Sequence, residues 1–116
     1  MDDLTIELRD LPKVSLNLFY TGTHWTKRKK LKDEYKYIVS SQFKDVLSKD
    51  KQYLVSYYFT FRVRPLDASN CVAMVKMIED IIFEDDSYKI VKGLAMYSEK
   101  GKEDLVTIKI KELKKV

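Results

Sequence analysis

The sequence is poor in cysteine, glycine and proline. It contains one cysteine, Cys71, with 3 glycines and 2 prolines among its 116 residues. A single cysteine excludes an internal disulfide framework, and it leaves too few thiolates for a thiolate zinc site. The low glycine and proline counts predict few turns and long secondary-structure elements.

Membrane-spanning runs and several common catalytic motifs are also missing. No stretch of about 18 apolar residues is present, and the start Met1-Asp2-Asp3 lacks the pattern of a signal peptide. We therefore expect a protein of the reducing cytoplasm. The sequence has no phosphate-binding glycine loop, serine-nucleophile elbow or zinc-ligand spacing. The one histidine, His24, has no evident triad partner, so we interpret it as a surface residue.

The composition that remains is that of a mildly basic globular domain. Hydrophobic residues make up 45% of the chain and charged residues 34%, and the formal net charge is +4. This charge is a mild indication of a polyanionic partner. The 8 tyrosines suit strands and surfaces that make both apolar and polar contacts.

The first half of the chain shows one strand, one loop and one helix. Residues 4–8 alternate between apolar and polar, which predicts a strand that Pro12 ends. No period is sustained over Val14–Leu31, and we interpret this segment as a long ordered loop. From Tyr35 to Leu47 apolar residues recur every three or four positions, which predicts a helix.

The second half shows three strands and one helix. The clearest strand is Val55–Val63, and a helix follows over about Cys71–Ile82. Tyr88–Tyr97 predicts a third strand, Gly101 a hairpin, and residues 106–111 the last strand. This order predicts a single α+β domain over the whole chain, in which a mixed sheet of about four strands carries two main helices on one face.

Two acidic turns are candidates for chemistry. Asp67 comes just after a strand that carries Arg62 and Arg64, and Asp85 and Asp86 come just after the second predicted helix. Clustered carboxylates suit Mg²⁺, which takes one or two protein carboxylates and keeps several waters. Such a metal activates water against a phosphate, which nearby arginine or lysine side chains hold. Spacing alone does not decide whether the two turns meet.

The same residues also have structural interpretations. Asp67, Ser69 and Asn70 are residue types that cap helix N-termini, and Glu84–Asp86 suits an exposed turn. The basic run at residues 27–30 fits either phosphate contacts or a solvated surface. Tyr20 fits either stacking on bases or anchoring of the loop.

The order of four short stretches resembles a known family. Leu11–Tyr20 is similar to an opening strand followed by a turn with proline, serine and asparagine, and a basic segment and helix come next. Arg64–Asn70 looks like an Asp-x-Asp-Asn signature at a helix start, and Phe83–Asp86 like an acidic pair after that helix. Together they resemble the RusA family of Holliday junction resolvases, phage-derived endonucleases that cut four-way DNA junctions. The likeness covers nearly the whole chain.

The resemblance implies a function and a set of roles. It implies cleavage of branched DNA in recombination and repair by a Mg²⁺-dependent homodimer, whose two-fold symmetry suits one cut on each of two strands. It implies that Asp67 and Asp86 bind the metal, with Asp85 beside the latter, and that Asn70 supports the helix start. Such oxygen ligands also accept Mn²⁺.

Two positions differ from the family pattern. Ser69 stands where the signature has its second aspartate, and a neutral hydroxyl is a weaker metal ligand than a carboxylate. Ala73 stands where the family has a lysine, and Lys76 lies three residues further on, on nearly the same helix face.

We therefore hold three hypotheses. The first is an active endonuclease in which Asp67 and Asp86 hold the metal, with Asp85 and Ser69 in support. The second is a protein that binds branched DNA without cutting it, and the third is a small interaction protein whose acidic turns are structural. Asp67, Asp85, Asp86 and Lys76 are the expected catalytic residues, and Lys76 would bind phosphate. The residues expected to bind DNA are Arg62, Arg64, Lys27, Arg28, Lys29, Lys30, Asn17 and Tyr20.

Overall fold

The structure is a computed structural model that describes residues 3–16 and 25–113. The predicted DNA-binding residues Asn17 and Tyr20, and also His24, lie outside the described residues. The elements in chain order are β1 (Asp3–Arg9), α1 (Trp25–Gln42), β2 (Gln52–Phe61), a 3₁₀ turn (Ala68–Cys71), α2 (Val72–Ile82), β3 (Val91–Lys100) and β4 (Leu105–Leu113). No helix in this described part of the chain is both long and apolar enough to cross a membrane.

The four strands form one mixed sheet in the order β1-β4-β2-β3. β4 is antiparallel to both of its neighbours, whereas β3 runs parallel to β2. The predicted α+β domain with a four-stranded mixed sheet is therefore confirmed. The expected hairpin at Gly101 is wrong, because β2 lies between β3 and β4. Gly101 instead donates its N–H to the Phe61 carbonyl at 2.9 Å, where the chain passes the end of β2.

The core lies between one face of the sheet and the two helices. Along β2 the odd-numbered residues from Tyr53 to Phe61 are all buried, and their even-numbered neighbours are not. This is the period of two that the sequence indicated. α2 matches its predicted range and buries most of its side chains against this face. The buried residues of β1 and β4, such as Leu8 and Ile108, complete the core.

The first helix differs from its prediction at both ends. α1 begins at Trp25, so the second half of the predicted loop is helical, and it ends at Gln42 instead of Leu47. Its early turns are rich in lysine and arginine, which form helices well but leave no apolar period to detect. Among residues 26–42 of this helix, Tyr35 and Val39 are the two that are fully buried.

Side chains fix this helix to the rest of the domain. The Tyr35 hydroxyl donates a hydrogen bond to the Pro12 carbonyl. The Gln42 side chain accepts from the Arg9 N–H at 2.7 Å and donates to the Arg9 carbonyl at 2.8 Å. Leu47 then forms a parallel bridge with Phe83, just after α2. The ends of both helices are thereby held beside the edge of the core.

Candidate functional site

The structure does not bring Asp67 and Asp86 together. β2 and β3 are parallel, so α2 must carry the chain from the end of β2 back to the start of β3. Asp67 precedes this helical segment and Asp86 follows it. The helical rise places Asp67 roughly 20 Å from Asp80, the residue beside Asp86. One metal ion cannot bind both predicted carboxylates at that separation.

The first acidic turn does not use Asp67 as a cap. Asp67 is the N-cap residue of the 3₁₀ turn, but its side chain makes no capping hydrogen bond. Its backbone carbonyl accepts the Asn70 N–H at 2.8 Å and the Cys71 thiol at 3.6 Å. Burial raises the pKa of Cys71 to about 11, and Asp67 adds to that rise while a hydrogen bond with Ser98 opposes it. The Asp67 and Ser69 side chains are exposed, so the expected capping role is not realised.

The second acidic turn uses two of its three carboxylates structurally. Glu84 Oε1 accepts the Lys49 N–H at 2.9 Å. Asp85 Oδ1 accepts the Ser87 N–H at 2.8 Å, and this hydrogen bond is the main reason that the pKa of Asp85 is lowered. An aspartate that bonds to the backbone two residues ahead is a common turn former. The structural interpretation therefore applies to Glu84 and Asp85.

Asp86 instead faces Asp80, a residue of the last turn of α2. The pKa of Asp80 is raised, first by burial and next by the negative charge of Asp86, whereas Lys32 and Lys76 act in the opposite direction. No motif in the sequence singled out Asp80. One available signal was its position, because a carboxylate in the last turn of a helix opposes the helix dipole.

Glu79 is a buried carboxyl beside this pair, and it was also missed. Its side chain is 5% exposed, and it is the one buried charged residue in the described part of the chain. Its pKa is raised to about 7, first by burial and then by Asp86, while Lys76 and the Tyr57 hydroxyl oppose the rise. Glu79 Oε2 and the Tyr57 hydroxyl have no hydrogen-bond partner among the described residues. The two groups influence each other's pKa values but do not meet in hydrogen-bond geometry.

A groove between α1 and α2 passes next to these carboxylates. It consists of two cavities of about 260 and 380 Å³, which share Lys32, Met77 and Asp80 in their walls. Ala73 and Lys76 both line the first cavity. Lys76 therefore lines the same cavity as Ala73, which stands at the position where the RusA family pattern has a lysine. We call this space the helix groove, and Asp86 lies beside its wall residue Asp80.

Basic residues are concentrated at the start of α1. Residues 27–30 occupy its first turns and are all exposed. Positive charge at a helix N-terminus opposes the helix dipole, so these residues do not improve the stability of the helix. Of the four, Lys29 forms an ion pair with Asp33 at 3.1 Å. Arg62 and Arg64 follow β2 and are exposed at the end of the sheet where Asp67 also lies.

The donor set fits a hard divalent cation held by two carboxylates. Residues 3–16 and 25–113 contain no group of three or more His, Cys, Asp or Glu side chains arranged to hold a metal. Mg²⁺ usually takes only one or two protein carboxylates. Asp80 and Asp86 are such a pair, and their repulsion is of the kind that a bound cation relieves. The unpartnered Oε2 of Glu79 is a third oxygen nearby.

No protein-family model matches the chain, and a search of curated proteins finds no match. The resemblance to the RusA family therefore stays a prediction.

Proposed function

We propose that this protein binds branched DNA and hydrolyses its phosphodiesters with a divalent cation, Mg²⁺ or Mn²⁺. The observation that carries the proposal is the Asp80–Asp86 pair beside the buried carboxyl of Glu79, at a groove that Lys32 and Lys76 line. Opposed carboxylates and a buried oxygen without a partner are costly to a fold that does not use them, and Lys32 and Lys76 offset only part of that cost.

The residues of the site divide into two sets. Asp80 and Asp86 would hold the metal, and Glu79 would face it from the buried side. A bound Mg²⁺ supplies a polarised water molecule and neutralises charge that develops on the phosphate. Lys32 and Lys76 line the same cavity, and they would hold the phosphate next to the carboxylates.

The exposed basic residues extend the surface that DNA would cover. The first turns of α1 carry four cations, and Lys36 lines the second cavity of the helix groove. Lysines along a groove can contact the phosphates of a nucleic-acid backbone, and such contacts make affinity depend on salt. The choice of a four-way junction, and of a homodimer that cuts it on two strands, is supported by the resemblance described above.

A protein that binds branched DNA without cutting it is the second candidate. The observation that favours it is the lack of a three-residue metal group in the described part of the chain. Ser69 is also exposed, and it precedes α2 whereas Asp86 follows it, so Ser69 does not add a ligand to the Asp80–Asp86 pair. The cations of the helix groove would serve DNA binding equally well in this case.

A labelled synthetic four-way junction tests the proposal. It is incubated with and without Mg²⁺ or Mn²⁺ and followed on native and denaturing gels. Asp86→Asn and Asp80→Asn should each lower metal-dependent nicking by at least about tenfold while the junction still binds. Asp85→Asn is the matched control, because its amide oxygen can still accept the Ser87 N–H.

The same panel separates the alternatives. Asp67→Asn should leave nicking intact if Asp80 and Asp86 hold the metal, and loss of nicking in Asp67→Asn alone would place the site at the other end of α2. Mn²⁺ binding, followed by electron paramagnetic resonance without DNA, should weaken in Asp86→Asn and not in Asp85→Asn. A junction that shifts but is never cut, by a wild-type protein that binds no Mn²⁺, would establish the second candidate.

A further inference from the structure

No described helix covers the second face of the sheet, and the residues of this face are mainly polar. Both helices cover the side on which Val55, Tyr57 and Phe59 point, so the alternate residues of β2 and β4 point away from the core. We call this surface the open face. Its residues on the two central strands are Leu54, Ser56, Tyr58, Thr60, Thr107, Lys109 and Lys111.

Two tyrosines form an exposed aromatic platform on the open face. Tyr58 of β2 is paired with Tyr97 of β3, and their rings stack with centroids 4.8 Å apart and planes 10° from parallel. Tyr97 is 52% exposed and Tyr58 is 36% exposed. Lys109 places its Nζ 5.2 Å from the centroid of the Tyr58 ring. The core lies on the other side of the sheet, so burial in the core does not account for these two rings.

A cavity of about 520 Å³ adjoins this platform. Tyr58, Tyr97, Ser98 and Glu99 line it, together with Ala68 from the turn before α2. It therefore extends from the stacked rings around the β3 edge of the sheet. A flat ring that stacked on Tyr97 would have room beside it.

The charges of the open face favour a polyanion over a second protein surface. Lys109 and Lys111 lie on the central strand β4, where a docked protein would have to bury them, and charged residues are depleted from the cores of protein interfaces. Acidic residues lie at the margins: Asp3 and Glu7 on the outer strand β1, and Glu99 on β3. The centre thus combines stacked aromatic rings with amines, which is the combination that binds single-stranded nucleic acid.

We propose that the open face binds an unpaired DNA strand by stacking a base on Tyr97, whose ring Tyr58 supports from the other side, while Lys109 and Lys111 contact its phosphates. The nature of the ligand rests on the proposed function, but the surface is distinct from the helix groove and lies on the opposite side of the sheet. A branched substrate that opens at its centre would present such a strand to the open face while its duplex lies in the helix groove on the other side of the sheet.

Fluorescence anisotropy with a labelled oligothymidine of about 16 nucleotides, in buffer with EDTA, tests this binding. Tyr97→Ala should weaken the affinity by at least about fivefold, because stacking on one base contributes about that much. Tyr58→Ala should also weaken it, because the Tyr97 ring then loses the ring that it stacks on. Tyr97→Phe should bind like the wild type, since the ring is kept. Tyr37→Ala is the control, because Tyr37 is 78% exposed but belongs to α1 on the covered side.

Two further measurements decide the mechanism. An abasic oligonucleotide of the same length keeps the phosphates but offers no rings, and it should bind at least about fivefold more weakly than oligothymidine. Equal affinity for both, or no effect of Tyr97→Ala and Tyr58→Ala, would overturn the proposal. A wild-type dimer that Tyr97→Ala dissociates in sedimentation runs would also overturn it, because the face would then join two copies of the chain.

The assay is independent of cleavage, so the two proposals fail separately. Asp86→Asn should bind oligothymidine like the wild type even though it does not nick a junction. If junctions are never cut but oligothymidine binding depends on Tyr97, the open face stands and the proposed hydrolysis does not. If junctions are cut and Tyr97→Ala binds the single strand normally, the proposed hydrolysis stands and the proposed binding at the open face does not.

Discussion

Asp86 faces Asp80 across the turn that follows α2, and its negative charge is one of the reasons that the pKa of Asp80 is raised. α2 ends at Ile82, and the next residue, Phe83, forms a bridge with Leu47. The residues that follow Phe83 return beside the last turn of the helix, where Asp86 meets Asp80. Two carboxylates held this way repel each other in the free protein. A divalent cation removes that repulsion, so the same contact that costs stability also favours metal binding.

Asp86→Asn should therefore stabilise the metal-free protein. The variant lacks the negative charge that raises the pKa values of Asp80 and Glu79, so the repulsion between these carboxylates is reduced. We expect the free energy of unfolding at pH 8 to increase by a few tenths to about 1 kcal/mol, because solvent partly screens these groups. Urea unfolding in EDTA measures it. Asp85→Asn should not be stabilising, since its hydrogen bond to Ser87 favours the ionised form. Gains of equal size in both variants would contradict the assigned contact.

The buried Glu79 carboxyl should make stability fall with rising pH. Its pKa is about 7 in the folded protein against an ordinary value of 4.5, so between these values the folded state holds a proton that the unfolded state has released. The contribution of Glu79 to the free energy of unfolding is then fully present below about pH 4.5. It is lost between about pH 4.5 and pH 7, a decrease of about 3 kcal/mol in total.

Glu79→Gln removes this dependence. The variant should match the wild type near pH 4 and exceed it in stability at pH 8, and urea unfolding at the two pH values gives the difference. Glu34→Gln is the control, because Glu34 is exposed on α1. A Glu79→Gln variant that is less stable than the wild type at both pH values would show that the carboxylate is paired in solution.

The parts of the fold that local patterns encode were predicted, and the parts that depend on distant pairing were not. The apolar stripe gave α2 nearly its observed bounds, and the alternation identified β2, which begins three residues before the predicted strand and ends two residues before its predicted end. The insertion of β4 between β1 and β2 left no local signal, so Gly101 was interpreted as a hairpin. The start of α1 was missed because its first turns are basic and solvated, which leaves no apolar period.

The candidate site divides in the same way. Carboxylates in two turns were visible in the sequence, and Asp86 does lie beside another carboxylate. Asp80 was missed because its approach to Asp86 depends on the path of the chain after α2. That path is set by the pairing of Phe83 with Leu47, which is distant in the sequence. Asp67 was grouped with Asp86 by their similar settings, yet a helix of 11 residues lies between them and separates them.

The two glycines next to β2 should differ in their tolerance of a methyl group. A Cβ at Gly101 would lie 2.1 Å from Thr60 Cγ2, whereas a Cβ at Gly93 would lie 2.6 Å from Leu54 Cδ2. Leu54 is partly exposed and can turn its side chain away, but the β-branched Thr60 has little freedom at χ1. Gly101→Ala should cost about 1–3 kcal/mol in urea unfolding, and Gly93→Ala less than about 1 kcal/mol.

A double-mutant cycle checks the cause of the Gly101 effect. Thr60→Ser removes Cγ2 and keeps the hydroxyl, so Gly101→Ala should cost at least about 0.5 kcal/mol less in that background. Additive costs would show that the penalty arises from the backbone at residue 101, whose N–H donates to the Phe61 carbonyl.

Affinity for a four-way junction should fall steeply with salt, and single lysines of the helix groove should account for part of that slope. Each phosphate that a lysine neutralises releases about one counterion, so Lys32→Gln and Lys76→Gln should each reduce the slope of log affinity against log salt by about 1. Anisotropy titrations at several salt concentrations, without metal, measure it. Lys44→Gln is the matched control, because Lys44 is exposed beyond the end of α1 and lines neither cavity of the groove.

The pattern of slopes separates the remaining hypotheses. Reduced slopes for Lys32→Gln and Lys76→Gln, with Lys44→Gln unchanged, would place the duplex in the helix groove whether or not the junction is cut. Equal reductions in all three variants would indicate a diffuse positive field instead of a defined groove. Affinity that does not change with salt would mean that phosphates are not contacted, and it would favour a small interaction protein in which the Asp80–Asp86 contact has no nucleic-acid role.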